Sequence, residues 1–267
     1  MPSDAHSFRN DTVLLFEPNA SNEVGFCLRQ ALSTGSLLAL ENCIADLLLR
    51  DVNGSMISQI IACLGSPELR GQLFSLFMID ETSALRTVNA SYHHDNGFEK
   101  WVLINHPDFK LRLHVYEASS LIPQENRHNH AWDFASYIIE GCLENTFYEL
   151  DDLSGEELLM HYQYSPVQGG AYHTELLNPS QRLRRSANLT LSGGRAYFLP
   201  ATVIHRINSE HTFKQRTSTL MLTGKRRTYH CDLFAEKEFV HTETPTRRMS
   251  LDHLHHRIET LSYGLTA

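Results

Sequence analysis

The chain lacks paired cysteines. Its five, Cys27, Cys43, Cys63, Cys142 and Cys231, are scattered, odd in number and without CxxC spacing. That excludes a disulfide framework and a thiolate zinc knuckle, and it fits free thiols in a reducing cytosol. A cytoplasmic protein is therefore the expectation. Nowhere is there a run of about 18 apolar residues, so no membrane-spanning helix is expected. The first twenty residues, "MPSDAHSFRNDTVLLFEPNA", carry no cationic segment followed by an apolar one, so no signal peptide is expected. Positive charge is also scarce. Lys and Arg number 23 against 31 Asp and Glu, a net charge of −8. Neither nucleic acid nor an anionic membrane is an expected partner of such a chain.

What is present is ordinary globular material, 42 % apolar and 20 % charged over 267 residues. That length suits one large domain, or one domain with a helical extension. Residues from about 21 to 85 repeat their apolar positions at helical spacing, as in Leu40, Ile44, Leu47 and Leu48. Ser21 and Ser33 to Ser36 mark starts or breaks. Ser66 before Pro67 predicts a capped helix over "SPELRGQLFSLFMI".

Near residue 93 the period changes to two. "FKLRLHVYE" (109–117) alternates strictly, with Phe109, Leu111, Leu113 and Val115 on one face and Lys110, Arg112, His114 and Tyr116 on the other. "FASYIIEG", "CLENTFYEL", "GGRAYFLP", "VIHRIN" and "TSTLMLTG" continue the pattern, divided by Gly, Pro and Asn. Short strands so divided predict an antiparallel sandwich or barrel. "SLDHLHHRIETL" (250–261) returns to a helical rhythm, with Ser250 as a cap. The expected plan is a helical region at 1–92 packing on a barrel at 93–235, then an extension at 236–267 with one helix.

The barrel contains "ENRHNHAWDF" (125–134), where His128 and His130 stand two apart. On an extended strand both imidazoles point the same way and can grip one ion. A third ligand must come from elsewhere. The best candidate is His205, in "GGRAYFLPATVIHRIN".

These two stretches resemble the two motifs of the cupin superfamily. The first is His-x-His, a spacer, often a Glu, then Gly; this chain offers His128, His130 and Gly141. The second is Gly, five residues, then Pro-x-Gly-x-x-His; this chain offers Gly194, Pro200 and His205, with Thr202 at the inner Gly. The resemblance implies a mainly β fold: a cupin (double-stranded β-helix, jelly-roll) barrel, with an α-helical N-terminal region and a C-terminal helix added. Where many cupins carry a ligating Glu this chain has Phe134, with Asp133 one position off. The metal set is therefore His128, His130 and His205, or those three with Asp133 through a shifted turn; the three-histidine set is preferred.

An all-histidine site is remotely similar to the cysteine dioxygenase family, through "FKLRLHVY", "EGCLENTFYE" and "IHRINSEHT". That resemblance implies Fe(II), O2 and a small thiol or amino-acid-like substrate. It also shows losses: the family's Ser-x-His-x-Tyr becomes Ser218, Leu220 and Leu222, and no upstream arginine matches the one that holds the substrate carboxylate. Two other functions stay open: a cupin oxygenase of a non-thiol metabolite, and a cupin that binds or senses a ligand without turnover.

Four further residues are candidate catalytic groups. If the polar face of 109–117 looks into the barrel, Arg112 can bind a substrate carboxylate, and His114 or Tyr116 can orient bound groups or move a proton. The competing arrangement puts the leucines inside and Arg112 in water. Asp133 either accepts a hydrogen bond from a ligand imidazole or caps its turn. Arg206, next to His205, should point away from the metal into an ion pair. His93, His94 and Asp95 form either a second site or a solvated turn.

Overall fold

The computed structural model describes residues 14–16, 23–51, 55–94, 96–118, 124–166, 172–212, 214–238 and 249–263. The N-terminal twenty residues other than 14–16, Ser21 and Asp95 lie outside them.

Five helices come first: α1 (Glu23–Ser33), α2 (Leu37–Leu49), α3 (Met56–Gly65), α4 (Pro67–Ile79) and α5 (Glu81–Ala90). Caps delimit them. Ser36 Oγ accepts from Ala39 N at 3.3 Å, and Asp80 Oδ1 accepts from Thr82 N and Ser83 N. Ser66 precedes α4 as expected but does not cap it through its side chain; its hydroxyl donates to Cys63 O at 2.6 Å, closing α3 instead. A last helix, α7 (Leu251–Tyr263), follows the strands, and Ser250 Oγ accepts from His253 N at its start. A single turn, α6 (Ser209–Thr212), lies between strands.

Among the described residues thirteen strands make two antiparallel sheets. The first runs β1 (Leu14–Phe16), β10 (Ala196–Leu199), β6 (Phe134–Glu140), β12 (Thr217–Thr223), β4 (Lys110–Tyr116), β3 (Glu99–Asn105), β2 (Tyr92–His93). The second closes on itself as β11 (Ile204–Ile207), β5 (Arg127–His128), β13 (Cys231–Ala235), β8 (Glu157–Pro166), β9 (Tyr172–Ser192), β7 (Cys142–Leu150). The fold class is thus mainly β, in two antiparallel sheets, with helices in the N-terminal region and at the C-terminal side. The N-terminal region is not purely helical, because β1 pairs with β10 at the sheet edge, and β2 crosses the expected boundary at 92/93.

The helices decide which way the first sheet faces. Leu111, Leu113 and Val115 of β4, Trp101 of β3, Leu220 and Leu222 of β12, and Ala196 of β10 are buried in one core with α1 to α5 and α7. Residues on the other face, Tyr116 of β4, Phe134 and Ile138 of β6, Tyr197 of β10 and Met221 of β12, form a second core with Leu143 and Phe147 of the closed sheet. α3 approaches so closely that a Cβ on Gly65 would collide with the Tyr137 ring. Gly141, at φ 79°, makes the turn between β6 and β7, where a Cβ would strike Thr217 and the Arg216 carbonyl.

Candidate metal centre

His128, His130 and His205 converge. One ligand atom from each lies within 4.8 Å of the other two. The ring centroids of His128 stand 4.8 Å from both His130 and His205, and the Nε2 atoms of His130 and His205 are 3.0 Å apart. Register explains half of this, since β11 pairs with β5 at His205 opposite His128. His130 lies beyond the strand, which ends at His128. Its direction is set by Asn129 between the two, locked to Asp232 by three hydrogen bonds: Asn129 N to Asp232 O, Asn129 Nδ2 to Asp232 Oδ2, and Asp232 N to Asn129 Oδ1. His130 N also donates to Ala201 O at 3.2 Å.

Two outer partners fix tautomers. His128 Nδ1 donates to the Asn126 carbonyl at 3.0 Å, and His205 Nδ1 to Asn145 Oδ1 at 3.1 Å. Each Nε2 is then a lone pair. Burial pushes the pKa of His130 and of His205 well down, and the neighbouring His128 adds to both. His205 Nε2 thus offers a lone pair, and His130 Nε2 at 3.0 Å either donates a hydrogen bond to it or, as the other tautomer, offers a second lone pair to a shared cation. The donor set therefore fits a transition ion, and three protein ligands leave further coordination positions open.

The polar face of β4 looks inward. Arg112, His114 and Tyr116 are all buried. The arrangement with Leu111 and Leu113 inside the barrel and Arg112 in water is overturned, because the helical layer takes the leucines. The Arg112 guanidinium lies 5.2 Å over the Trp132 ring, and Trp132 stacks toward His130 with centroids 6.2 Å apart. His114 packs on Phe98 at 4.9 Å, and its Nε2 is buried with no hydrogen-bond partner among the described residues. Burial, with Lys100 and Arg112 close by, holds His114 neutral far below its usual range. Burial, with Glu125 adding, raises the Tyr116 phenol well above its usual value.

Asp133 stands outside this group. Its Oδ1 accepts from Ala201 N at 2.8 Å and its Oδ2 pairs with Arg227. Its carboxylate thus caps the distant Ala201 turn rather than its own, and among the described residues no hydrogen bond joins it to His128, His130 or His205. The expected ion pair of Arg206 is likewise missing among the described residues. Ser218, Leu220 and Leu222 do not look into the pocket: the leucines face the helices and Ser218 Oγ donates to Glu140. His93 and His94 part company. His94 stacks on Phe98 at 4.6 Å, while His93 joins Glu99 and His253 on the opposite face. There Glu99 is satisfied by two bonds from Arg257 and one from Trp101.

Sequence reasoning missed three residues. Asn145 holds His205, and its signal was a polar side chain at an inward position between Leu143 and Phe147. Lys100 faces inward opposite His114, with Nζ donating to Tyr92 OH at 2.9 Å. Burial, with Arg112 adding, depresses its pKa well below the usual lysine value. Glu125, in the same stretch as the histidines, accepts from Ile207 N and Asn96 Nδ2 and ties β11 to the pocket rim.

No protein-family model and no curated protein matches the chain. Solved structures similar in backbone include hydroquinone 1,2-dioxygenase in complex with Cd2+ and 4-hydroxybenzonitrile (18 % identity, 46 % of this chain and 62 % of that one, TM-score 0.30). Another is hydroquinone 1,2-dioxygenase from Sphingomonas sp. TTNP3 with 4-hydroxybenzoate bound (12 %, 47 % and 64 %, 0.30). A third is a cupin superfamily protein from Desulfitobacterium hafniense DCB-2 (14 %, 52 % and 86 %, 0.28). The match spans less than two thirds of both dioxygenase chains. Among the described residues no helix is long and apolar enough to cross a membrane.

Proposed function

We propose that this chain is a metal-dependent oxygenase of cupin type, using Fe(II) at His128, His130 and His205 and acting on a small anionic metabolite with O2. The observation that carries it is the open set of three converging imidazoles, facing a wall that holds Arg112, His114, Tyr116 and Lys100. Iron bound there would supply the redox chemistry toward O2.

The chain's own groups do the rest. Arg112 brings a cationic side chain to a desolvated wall, where a substrate carboxylate is a fitting counter-charge and would favour the charged form of Lys100 that burial disfavours. Arg112 offers the fork and Lys100 a single ammonium. His114 Nε2 is placed to exchange a hydrogen bond with a bound polar group. Tyr116, kept protonated, can donate one. Phe98, Trp132 and Phe134 exclude water around them, which strengthens each of these contacts.

An amino-acid-like or thiol substrate fits the description through its carboxylate. A second reading, an aromatic or other non-thiol acid, is favoured by the aromatic side chains around His130. Oxygen uptake by the iron-loaded protein across thiols, amino acids and aromatic acids tests both. Tight iron binding with no uptake on any of them would turn the reading to a ligand-binding protein. Failure to bind any transition metal would end it.

A further inference from the structure

The strands that present the metal ligands have a second face. One step along the antiparallel pair from His205 opposite His128, Arg206 comes level with Arg127. Both guanidiniums lie 5.7 Å from the centroid of the same Tyr148 ring. Like charges directly across an antiparallel pair repel, so the pairing needs a counter-charge.

Arg127 has its own. Its Nη2 meets Glu157 at 2.7 Å and its Nη1 meets Glu236 at 2.8 Å. Arg206 has only a share of Glu236: that carboxylate feels its charge, but among the described residues none makes a direct ion pair with Arg206, and its Nε is buried without a hydrogen-bond partner. Arg127 Nε, on a residue 5 % exposed, is in the same condition. Both arginines line a cavity of about 440 Å3 completed by Gln124, Arg185, Asn208 and Glu236. Three guanidiniums there face one lining carboxylate, Glu236, which is held in its charged form chiefly by Arg127, with Arg206 adding.

We propose that this cavity binds an oxyanion, a phosphate or a carboxylate group, carried on a small polar molecule. Guanidinium edges present parallel donors that match oxyanion geometry. The volume exceeds what a bare anion needs and lies within the range of small-molecule sites. Gln124 and Asn208 supply neutral polar lining for the remainder. This site is separate from the pocket of the proposed oxygenase and stands whether or not that pocket turns over a substrate.

Calorimetric titration of inorganic phosphate and of citrate into the full chain tests it. The expected result is saturable one-to-one binding of at least one of them at micromolar to millimolar concentration. Phosphate alone assigns a phosphoryl ligand, citrate alone a carboxylate. Arg206→Gln should weaken binding by about 10–100-fold, the value of a charge-assisted hydrogen bond. Arg185→Gln should weaken it less, and serves as the deciding variant if Arg206→Gln melts early. Arg184→Gln, whose guanidinium is paired with Glu149 and Asp151 outside the cavity, should bind as the parent does. No saturable binding of either anion overturns the proposal. So does an Arg206→Gln protein that folds and binds as tightly as the parent.

Discussion

The two faces of β4 sit a few ångströms apart and do opposite work. On one, Leu111, Leu113 and Val115 are buried under helices and belong to the largest apolar core. On the other, Arg112, His114 and Tyr116 are as well buried, among aromatic rings and beside three histidines. The apolar face gains free energy by leaving water. The polar face loses hydration, and recovers part of it only through contacts within the pocket. The difference shows what the helical layer is for. Without it, the leucines would have to turn inward, and no polar pocket could form in the barrel.

Substitutions should therefore separate stability from binding according to face. The largest effect falls on the inner side. His205→Ala, or the same change at His128 or His130, should lower metal affinity more than about 100-fold, because even outer partners of ligands are worth about 10–100-fold. The metal-free protein should melt near the parent. Metal analysis after dialysis checks the first point and calorimetry the second. Three variants that keep stoichiometric metal would remove the triad.

On the outer side, Leu113→Ala should cost about 2–5 kcal/mol of folding stability, the range for a leucine deleted from a packed core. The folded fraction should keep its metal. Denaturant unfolding with metal titration distinguishes the two. Loss of metal at native conditions would mean that the faces are not independent.

Arg112→Lys keeps the charge and removes the fork. It should weaken an anionic substrate by about 1.5–3 kcal/mol, the worth of hydrogen bonds to charged groups, with metal content unchanged. An unaltered KM for the true substrate would show that the inner cation is structural.

How much of this was legible follows from where each signal resides. The period-2 pattern gave β4, β6, β7 and β12, because alternation is local. The spacing of His128, His130 and His205 picked out three side chains that converge, because they lie in two compact stretches that the strand pairing brings together. The direction of β4 was not legible. Alternation says that two faces differ, not which neighbour each will meet, and that depended on helices before and far after β4 in the chain. His130 was reached for the wrong local reason: Asn129 and Asp232 aim it, not a strand. Asn145 and Lys100 come from other strands and carry no motif. Asp133, close to His130, was open by sequence between supporting an imidazole and capping its turn, and its carboxylate meets Ala201 N and Arg227 instead.

The smallest effect is a slope, and it sharpens the contrast of faces most. His94 stacks on Phe98 inside the pocket, and burial, with Lys100 next in weight, lowers its pKa from 6.5 to about 3. In the unfolded chain the ring titrates near its ordinary value of about 6.5. Above that pH both states are neutral and His94 carries no penalty. As pH falls from about 6.5 toward about 3, the unfolded chain takes up a proton that the folded chain refuses, so stability falls by about 1.4 kcal/mol per pH unit. Below about 3 both states are protonated and the loss stops growing. His114, His130 and His205 are lowered too and steepen the same slope. His94→Gln should make the slope shallower by one proton, whereas Leu113→Ala should lower the whole curve and leave its slope alone. Urea unfolding of the chelator-treated protein at a few pH values between about 5 and 7 measures this. Equal slopes for the parent and His94→Gln would show that His94 takes its proton in the folded state, and the inner face would then be wetter than its aromatic lining implies.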